Sequence, residues 1–107
     1  MGKYIFSSPA DADLLGIYEY TLETWGIKQY QVYKNLIFDA INWLSENPFT
    51  IESKKRFDLH PGCYFYHVGK HFIVYRFING RLEVARVLHE NMDFEKQLKA
   101  INFKFDK

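Results

Sequence analysis

The sequence predicts an α+β fold: an N-terminal strand, an αα-hairpin, a three-stranded antiparallel meander and a short C-terminal helix. Three observations carry that prediction. Apolar residues recur at three- and four-residue spacing from Leu14 to Trp25 and again from Tyr30 to Leu44, which is the helical period. From Gly62 onward the pattern changes to runs of seven to nine residues rich in aromatic and branched side chains, which is strand chemistry. Asn79-Gly80 stands between two of those runs, and Asn-Gly is the strongest short hairpin signal because both positions tolerate positive φ.

The elements follow in order. Lys3–Ser7 (KYIFS) is a short β-type run that stops at a helix start. Ser8 is placed to cap, Pro9 to take the first helical position, and Asp11 completes something close to a capping box. Leu14, Ile17, Tyr18, Leu22 and Trp25 then share one helical face, and Gly26 ends the helix. Tyr30, Tyr33, Ile37, Ala40, Ile41 and Leu44 form the stripe of a second helix, which Pro48 terminates. Helices joined by so short a link fold back on each other. Between Phe49 and Pro61 the periodicity is lost, and Lys54-Lys55-Arg56 is expected in an exposed connecting loop. Gly62–Val68, His71–Ile78 and Arg81–His89 are the three strands of the meander. Both alternating sets of the middle run are apolar or aromatic, so it is expected to be central and covered in part on both faces. Asp93 can cap a last helix through Leu98 or Ile101, and Asn102–Lys107 is expected to be a frayed, flexible tail.

Composition narrows the function classes. The 107 residues have room for one domain over 1–107. An apolar content of 48% excludes disorder. No run approaches the ~20 apolar residues a membrane span needs, so no membrane partner is expected. Residues 1–9 lack the apolar stretch and cleavage site of a signal peptide. Cys63 is the single cysteine, which leaves no disulfide framework and no multi-cysteine zinc site within one chain. A cytoplasmic protein is expected. The net charge of +1 conceals an asymmetry: residues 1–53 carry three Lys against seven acids, or −4, and residues 54–107 carry eleven Lys and Arg against six acids, or +5. Such polarity suits a second half that meets something anionic, though ordinary surface scatter produces it as well.

Several segments resemble the ParE branch of the ParE/RelE toxin superfamily, known also as plasmid stabilisation proteins. Tyr4-Ile5-Phe6-Ser7, Ala10, Asp13-Leu14, Ile17, Tyr20, Trp25-Gly26, Gln29 and Tyr33 are similar to that family's opening. Glu46-Asn47-Pro48 resembles its second-helix ending, and Arg56-Phe57-Asp58-Leu59, Gly62, Tyr64 and Tyr75 its central part. Arg86-Val87-Leu88-His89 followed by Met92-Asp93 is similar to its C-terminal signature. The resemblance covers residues 4 to 98. It implies a helical hairpin packed on an antiparallel sheet, in agreement with the layout above. It further implies a bacterial toxin of a type II toxin–antitoxin pair that stabilises the cleavage complex of DNA gyrase, acting on the A subunit, and is neutralised by a wrapping ParD-like antitoxin. No cofactor and no sequence-specific DNA binding by the toxin alone are implied.

The superfamily's RelE-like branch cleaves mRNA on the ribosome without metal, which requires a base for the ribose 2′-hydroxyl, cations at the phosphate and an acid for the leaving oxygen. In that alternative Arg56, Arg86 and His89 are the catalytic candidates. RelE-type enzymes carry a Tyr or a second His just past the last strand, whereas this chain has Asn91, Met92 and Asp93 there and no Tyr after Tyr75. That departure favours the gyrase-directed, non-enzymatic reading. A second alternative is an inactive toxin-fold binding partner. Target-binding candidates are Lys54, Lys55, Arg56, Arg86, His89, Met92 and Asp93.

Each candidate has a plainer role as well. Arg86 and Asp93 are placed to form an ion pair between the last strand and the terminal helix. His89 can bond backbone at a strand end, Met92 can fill a core gap, and the basic triplet can be a solvated loop. Asp11 and Asp13 are expected to offset the helix macrodipole. His60, His67 and His71 lack a completing carboxylate or Cys at metal-site spacing, so no metal is expected. Cys63 is expected to be buried. Eight Tyr and ten Phe exceed what one core encloses. Tyr18, Tyr20, Trp25, Tyr30 and Tyr33 cannot all point inward at helical spacing, so some of them are expected to form an exposed patch where the antitoxin docks.

Overall fold

A computed structural model describes residues 2–58, 60–93 and 96–97. The chain runs β1 (Tyr4–Phe6), α1 (Ser8–Trp25), α2 (Ile27–Glu46), β2 (Lys54–Lys55), β3 (Tyr64–Val68), β4 (His71–Ile78) and β5 (Arg81–His89). The strands form one sheet in the order β1-β5-β4-β3-β2. β2, β3, β4 and β5 pair antiparallel, and β1 lies parallel to β5 with Ile5 opposite Glu83. Parallel pairing requires a crossover between the two strands, and the helical hairpin lies within that connection. Both faces of the sheet carry apolar clusters. Leu14 of α1 and Ile37, Ile41 and Leu44 of α2 pack on Ile73, Tyr75, Leu82, Val84 and Val87. The alternate residues Val74, Ala85 and Leu88 form a second cluster with Cys63 and Phe65, which period-two alternation places on the opposite face.

The α+β class and the helical hairpin stand as the sequence predicts, with differences in detail. Ser7 rather than Ser8 caps α1: its backbone is extended at φ −70°, and its Oγ accepts from the Ala10 N–H at 3.1 Å. Ser7 also belongs to the sheet, its N–H donating to the Val84 carbonyl at 3.0 Å and its hydroxyl to the Ala85 carbonyl at 2.7 Å. That double attachment sets the helix start one residue early. Lys54 and Lys55 form an edge strand rather than a loop, and the Arg56 N–H extends the pairing to the Cys63 carbonyl at 2.9 Å. An edge strand this short, carrying lysines, is a common way of blunting a sheet edge. β1 and β3 are each narrower than their predicted runs. Residues 96–97 are helical, with the Lys96 N–H donating to Asp93 Oδ1 at 3.2 Å; the rest of the helix expected after Asp93, and residues 102–107, lie outside the described residues.

The two helices meet at Gly26, whose φ of +92° is a conformation that other residues rarely adopt. Its N–H closes α1 on the Leu22 carbonyl, and its carbonyl opens α2 by accepting from the Tyr30 N–H. The stretch after α2 is tied down by Tyr75. That buried hydroxyl donates to the Pro48 carbonyl at 2.7 Å and lies 2.6 Å from Ser53 Oγ. Among the described residues, no helix is long and apolar enough to cross a membrane.

Candidate functional site: the groove between the helical hairpin and the sheet

β1 stops at Phe6, so the β5 edge beyond Val84 has no strand beside it. Helix α1 takes over that edge. After the Ser7 hydroxyl satisfies Ala85, Asp13 Oδ2 accepts from the Val87 N–H at 3.0 Å. The same carboxylate receives Arg86 through Nε at 2.7 Å and Nη2 at 3.0 Å, a bidentate pair. A bulge makes this possible: Val74 pairs with Arg86 and Tyr75 with Val84, which leaves Ala85 as the extra residue and re-aims Arg86. The bond to Asp13 pushes the Arg86 guanidinium above its ordinary value. Arg86 therefore pairs with Asp13 and not with Asp93, which is occupied in capping the following helix. Asp13, expected only to offset the helix dipole, fastens α1 to the sheet.

A second junction lies one strand pair further along. The Lys70 backbone N–H donates to Tyr33 Oη at 3.0 Å, and Tyr33 Oη lies 2.5 Å from His71 Nδ1. Burial, reinforced by the neighbouring His89, holds His71 down at about 4, so the ring is neutral near pH 7. Its Nδ1 then accepts from the Tyr33 hydroxyl, and the proton resides on Nε2. His89 faces His71 directly across β4 and β5, ring centroids 5.2 Å apart and at 86°. His89 Nδ1 accepts from the Asn91 N–H at 3.1 Å, which likewise leaves the proton of its neutral form on Nε2. The half-buried Tyr33 hydroxyl is itself pushed up, chiefly by burial.

These two junctions bound a groove of about 920 Å³. Asp13, Gly16, Ile17, Tyr20, Thr21 and Trp25 supply its α1 wall, and Gln29 and Tyr33 its α2 wall. Lys70, His71, Val87, His89 and Met92 close it from the sheet side. The lining is mostly apolar and aromatic with a few converging polar groups, the usual character of a binding site.

Residues 4–94 match the family described as ParE toxin of type II toxin-antitoxin system, parDE. The chain belongs to the ParE toxin family. The protein named Toxin ParE1 of Mycobacterium tuberculosis is 31% identical over 97 residues, which cover 90% of this chain and 97% of that relative. Toxin ParE1 of Caulobacter vibrioides is 31% identical over 98 residues, 92% of this chain and 99% of the relative. Among solved structures, a chain of the chromosomal ParDE TA system from P. aeruginosa matches with a TM-score of 0.66 at 16% identity, covering 83% of this chain and 96% of that one. At that identity the likeness concerns the fold.

In this ParE-family chain the sequence candidates divide between two places. Tyr20 and Trp25 are 64% and 67% exposed and line the groove with Tyr33, His89 and Met92. Tyr18 and Tyr30 do not line it. Tyr18 stacks on Phe38 and meets Tyr30 edge-on, Lys34 lies over both rings, and burial pushes the Tyr18 hydroxyl up to about 12. Lys54, Lys55 and Arg56 sit at the far edge of the sheet. β2 is three strand steps from β5, roughly 14 Å at ordinary strand spacing. Arg56 there holds Asp58 through Nε and Nη2 at 3.1 and 3.0 Å. The structure therefore does not bring Arg56, Arg86 and His89 together, since the first lies across the sheet and the second is bound to Asp13.

His67 and Cys63 have a partner and burial that account for them. His67 Nε2 lies 2.9 Å from Glu90 Oε2, and Cys63 is buried, its thiol pushed up to about 12. No group of three His, Cys, Asp or Glu side chains that could hold a metal occurs among the described residues. Asp13, Lys70 and His71 are among the groove residues that sequence reasoning missed as such. The clue available was that Tyr33 stood on the helix stripe with a polar tip that a buried position obliges to find a partner.

Proposed function

We propose that the chain is the gyrase-directed toxin of its type II pair. In this reading it acts in the cytoplasm, stabilises the complex of the gyrase A subunit with cleaved DNA, and is neutralised by a ParD-like antitoxin. The observation that carries the reading is the family match over residues 4–94. The action is non-enzymatic. A ribonuclease needs its proton acceptor and its cations around one phosphate, and Arg56 stands across the sheet from His89 while Arg86 is committed to Asp13. The antitoxin's helical segment docks in the groove on Tyr20, Trp25 and Tyr33, where Trp and Tyr at a concave surface are the usual anchors of an interface. The basic edge at Lys54 and Lys55 is the candidate surface for the target. Inducing the chain in growing bacteria tests the reading: filamentation with DNA-damage signalling is expected, whereas an immediate stop in translation with cut mRNA contradicts it and indicates a RelE-type enzyme. Growth unaffected by induction indicates an inactive toxin-fold partner.

A further inference from the structure

The polar end of the groove has a chemistry of its own. His71 and His89 each spend Nδ1 on an internal hydrogen bond, to the Tyr33 hydroxyl and the Asn91 N–H. Each neutral ring therefore presents an Nε2–H, and neither finds an acceptor among the described residues. The rings are 5.2 Å apart, close enough for the two oxygens of one acceptor group to bridge them. We propose that His71 and His89 form a carboxylate-binding site, and that its occupant is an acidic side chain on the amphipathic helix of the antitoxin. The partner is taken from the function proposed above, whereas the carboxylate chemistry rests on this geometry alone.

The surrounding charges favour that occupant. From α1, Asp13 faces the site, but both its oxygens are engaged by Arg86 and one also by the Val87 N–H. From the end of β5, Glu90 is engaged by His67 of β3. From α2 comes only the neutral Tyr33, and Lys70 of the β3–β4 turn adds a cation at the rim. Neutral N–H donors beside one lysine suit a single negative charge rather than the double charge of a phosphate monoester. Ile17, Tyr20, Trp25, Val87 and Met92 surround those donors, so the acid is expected to arrive on an otherwise apolar surface. Burial holds His71 down at about 4 in the free chain, so near pH 7 it meets the occupant as a neutral N–H donor.

The test uses 3-phenylpropionate and its uncharged amide as probes on the full chain, with the imidazole signals of His71 and His89 followed by NMR. The expected result is that the acid binds about tenfold or more tightly than the amide and shifts both Nε2 signals. Equal affinity for acid and amide, or shifts confined to residues outside the groove, overturns the site. The comparison of two probes on the unaltered protein does not depend on any variant folding. Discrimination lost in His89→Phe, in a chain with an unchanged unfolding midpoint, further supports the site, and discrimination retained there overturns it. Because neither probe involves antitoxin or gyrase, failure of the proposed function and failure of this site are told apart.

Discussion

Asp13 is the charged residue that joins α1 to β5 through Arg86 and Val87. It meets three donors, two from the Arg86 guanidinium and one from the backbone of Val87, and the two side chains are only 15% and 20% exposed. Removing one member of such a pair strands the other. Asp13→Ala is expected to lower stability by about 2 kcal/mol or more, read from denaturant midpoints, and Asp13→Ala combined with Arg86→Met should recover part of the loss. A double variant no more stable than the single one would show that the pair is not the cause. His71 gives a pH prediction of definite sign. Its folded value is about 4 against an ordinary 6.5, so the unfolded chain binds the proton first. The stability due to neutral His71 is therefore complete above about pH 6.5, is lost as pH falls to about 4, and is constant below that. His71→Gln should remove that part of the pH dependence, which denaturation at several pH values measures. Neither contact was legible in the sequence. Asp13 and Arg86 are 73 positions apart, and Asp93, seven after Arg86, was the nearer acid; only the bulge and the α1 crossing decide between them.

At the scale of elements the sequence was more informative. Helical periodicity and Gly26 gave the hairpin, and Asn79-Gly80 gave the turn between β4 and β5, with Ile78 opposite Arg81 as such a turn requires. Counting onward from that turn would set His71 opposite Leu88. The bulge at Ala85 advances the register by one and sets it opposite His89, and a bulge has no reliable signature in an apolar run. β1 was legible as a strand, but its parallel pairing with β5 depends on how the whole hairpin crosses the sheet. β2 exists because the β3 edge offers partners, which the residues Lys54 and Lys55 do not announce. Two glycines test the element geometry. Gly69 stands at φ +58°, and a Cβ there would lie 2.7 Å from Tyr33 Oη, so Gly69→Ala meets both backbone strain and a clash with the Tyr33–His71 junction. A cost of about 2 kcal/mol is expected, together with loss of the coupling between Tyr33 and His71 in NMR. Gly16 lies mid-helix in open space, and Gly16→Ala should instead stabilise by about 1 kcal/mol. Opposite signs in thermal or denaturant unfolding are the check.

The two halves of the chain differ in charge, −4 against +5, and among the described residues these charges do not gather into one site. The groove with Tyr20, Trp25, Tyr33 and His89 lies at the β5 side of the fold, and the exposed Lys54 and Lys55 lie at the opposite sheet edge. Neutralisation and target binding should therefore be separable. Trp25→Ser is expected to weaken antitoxin binding by about 2 kcal/mol while toxicity without antitoxin persists. Lys54→Glu with Lys55→Glu is expected to reduce toxicity while the antitoxin still binds. Titration calorimetry and growth assays of the two sets decide the matter, and a parallel loss of both properties would mean that one surface serves both. Beneath these lies the claim that the protein acts by occupying a surface of its target rather than by breaking bonds. Its most direct test is to incubate the purified chain with purified gyrase and supercoiled DNA, then denature the mixture and count broken, gyrase-linked DNA. The account predicts broken DNA that increases with the concentration of the chain, and unbroken DNA at a large molar excess of it would contradict the account.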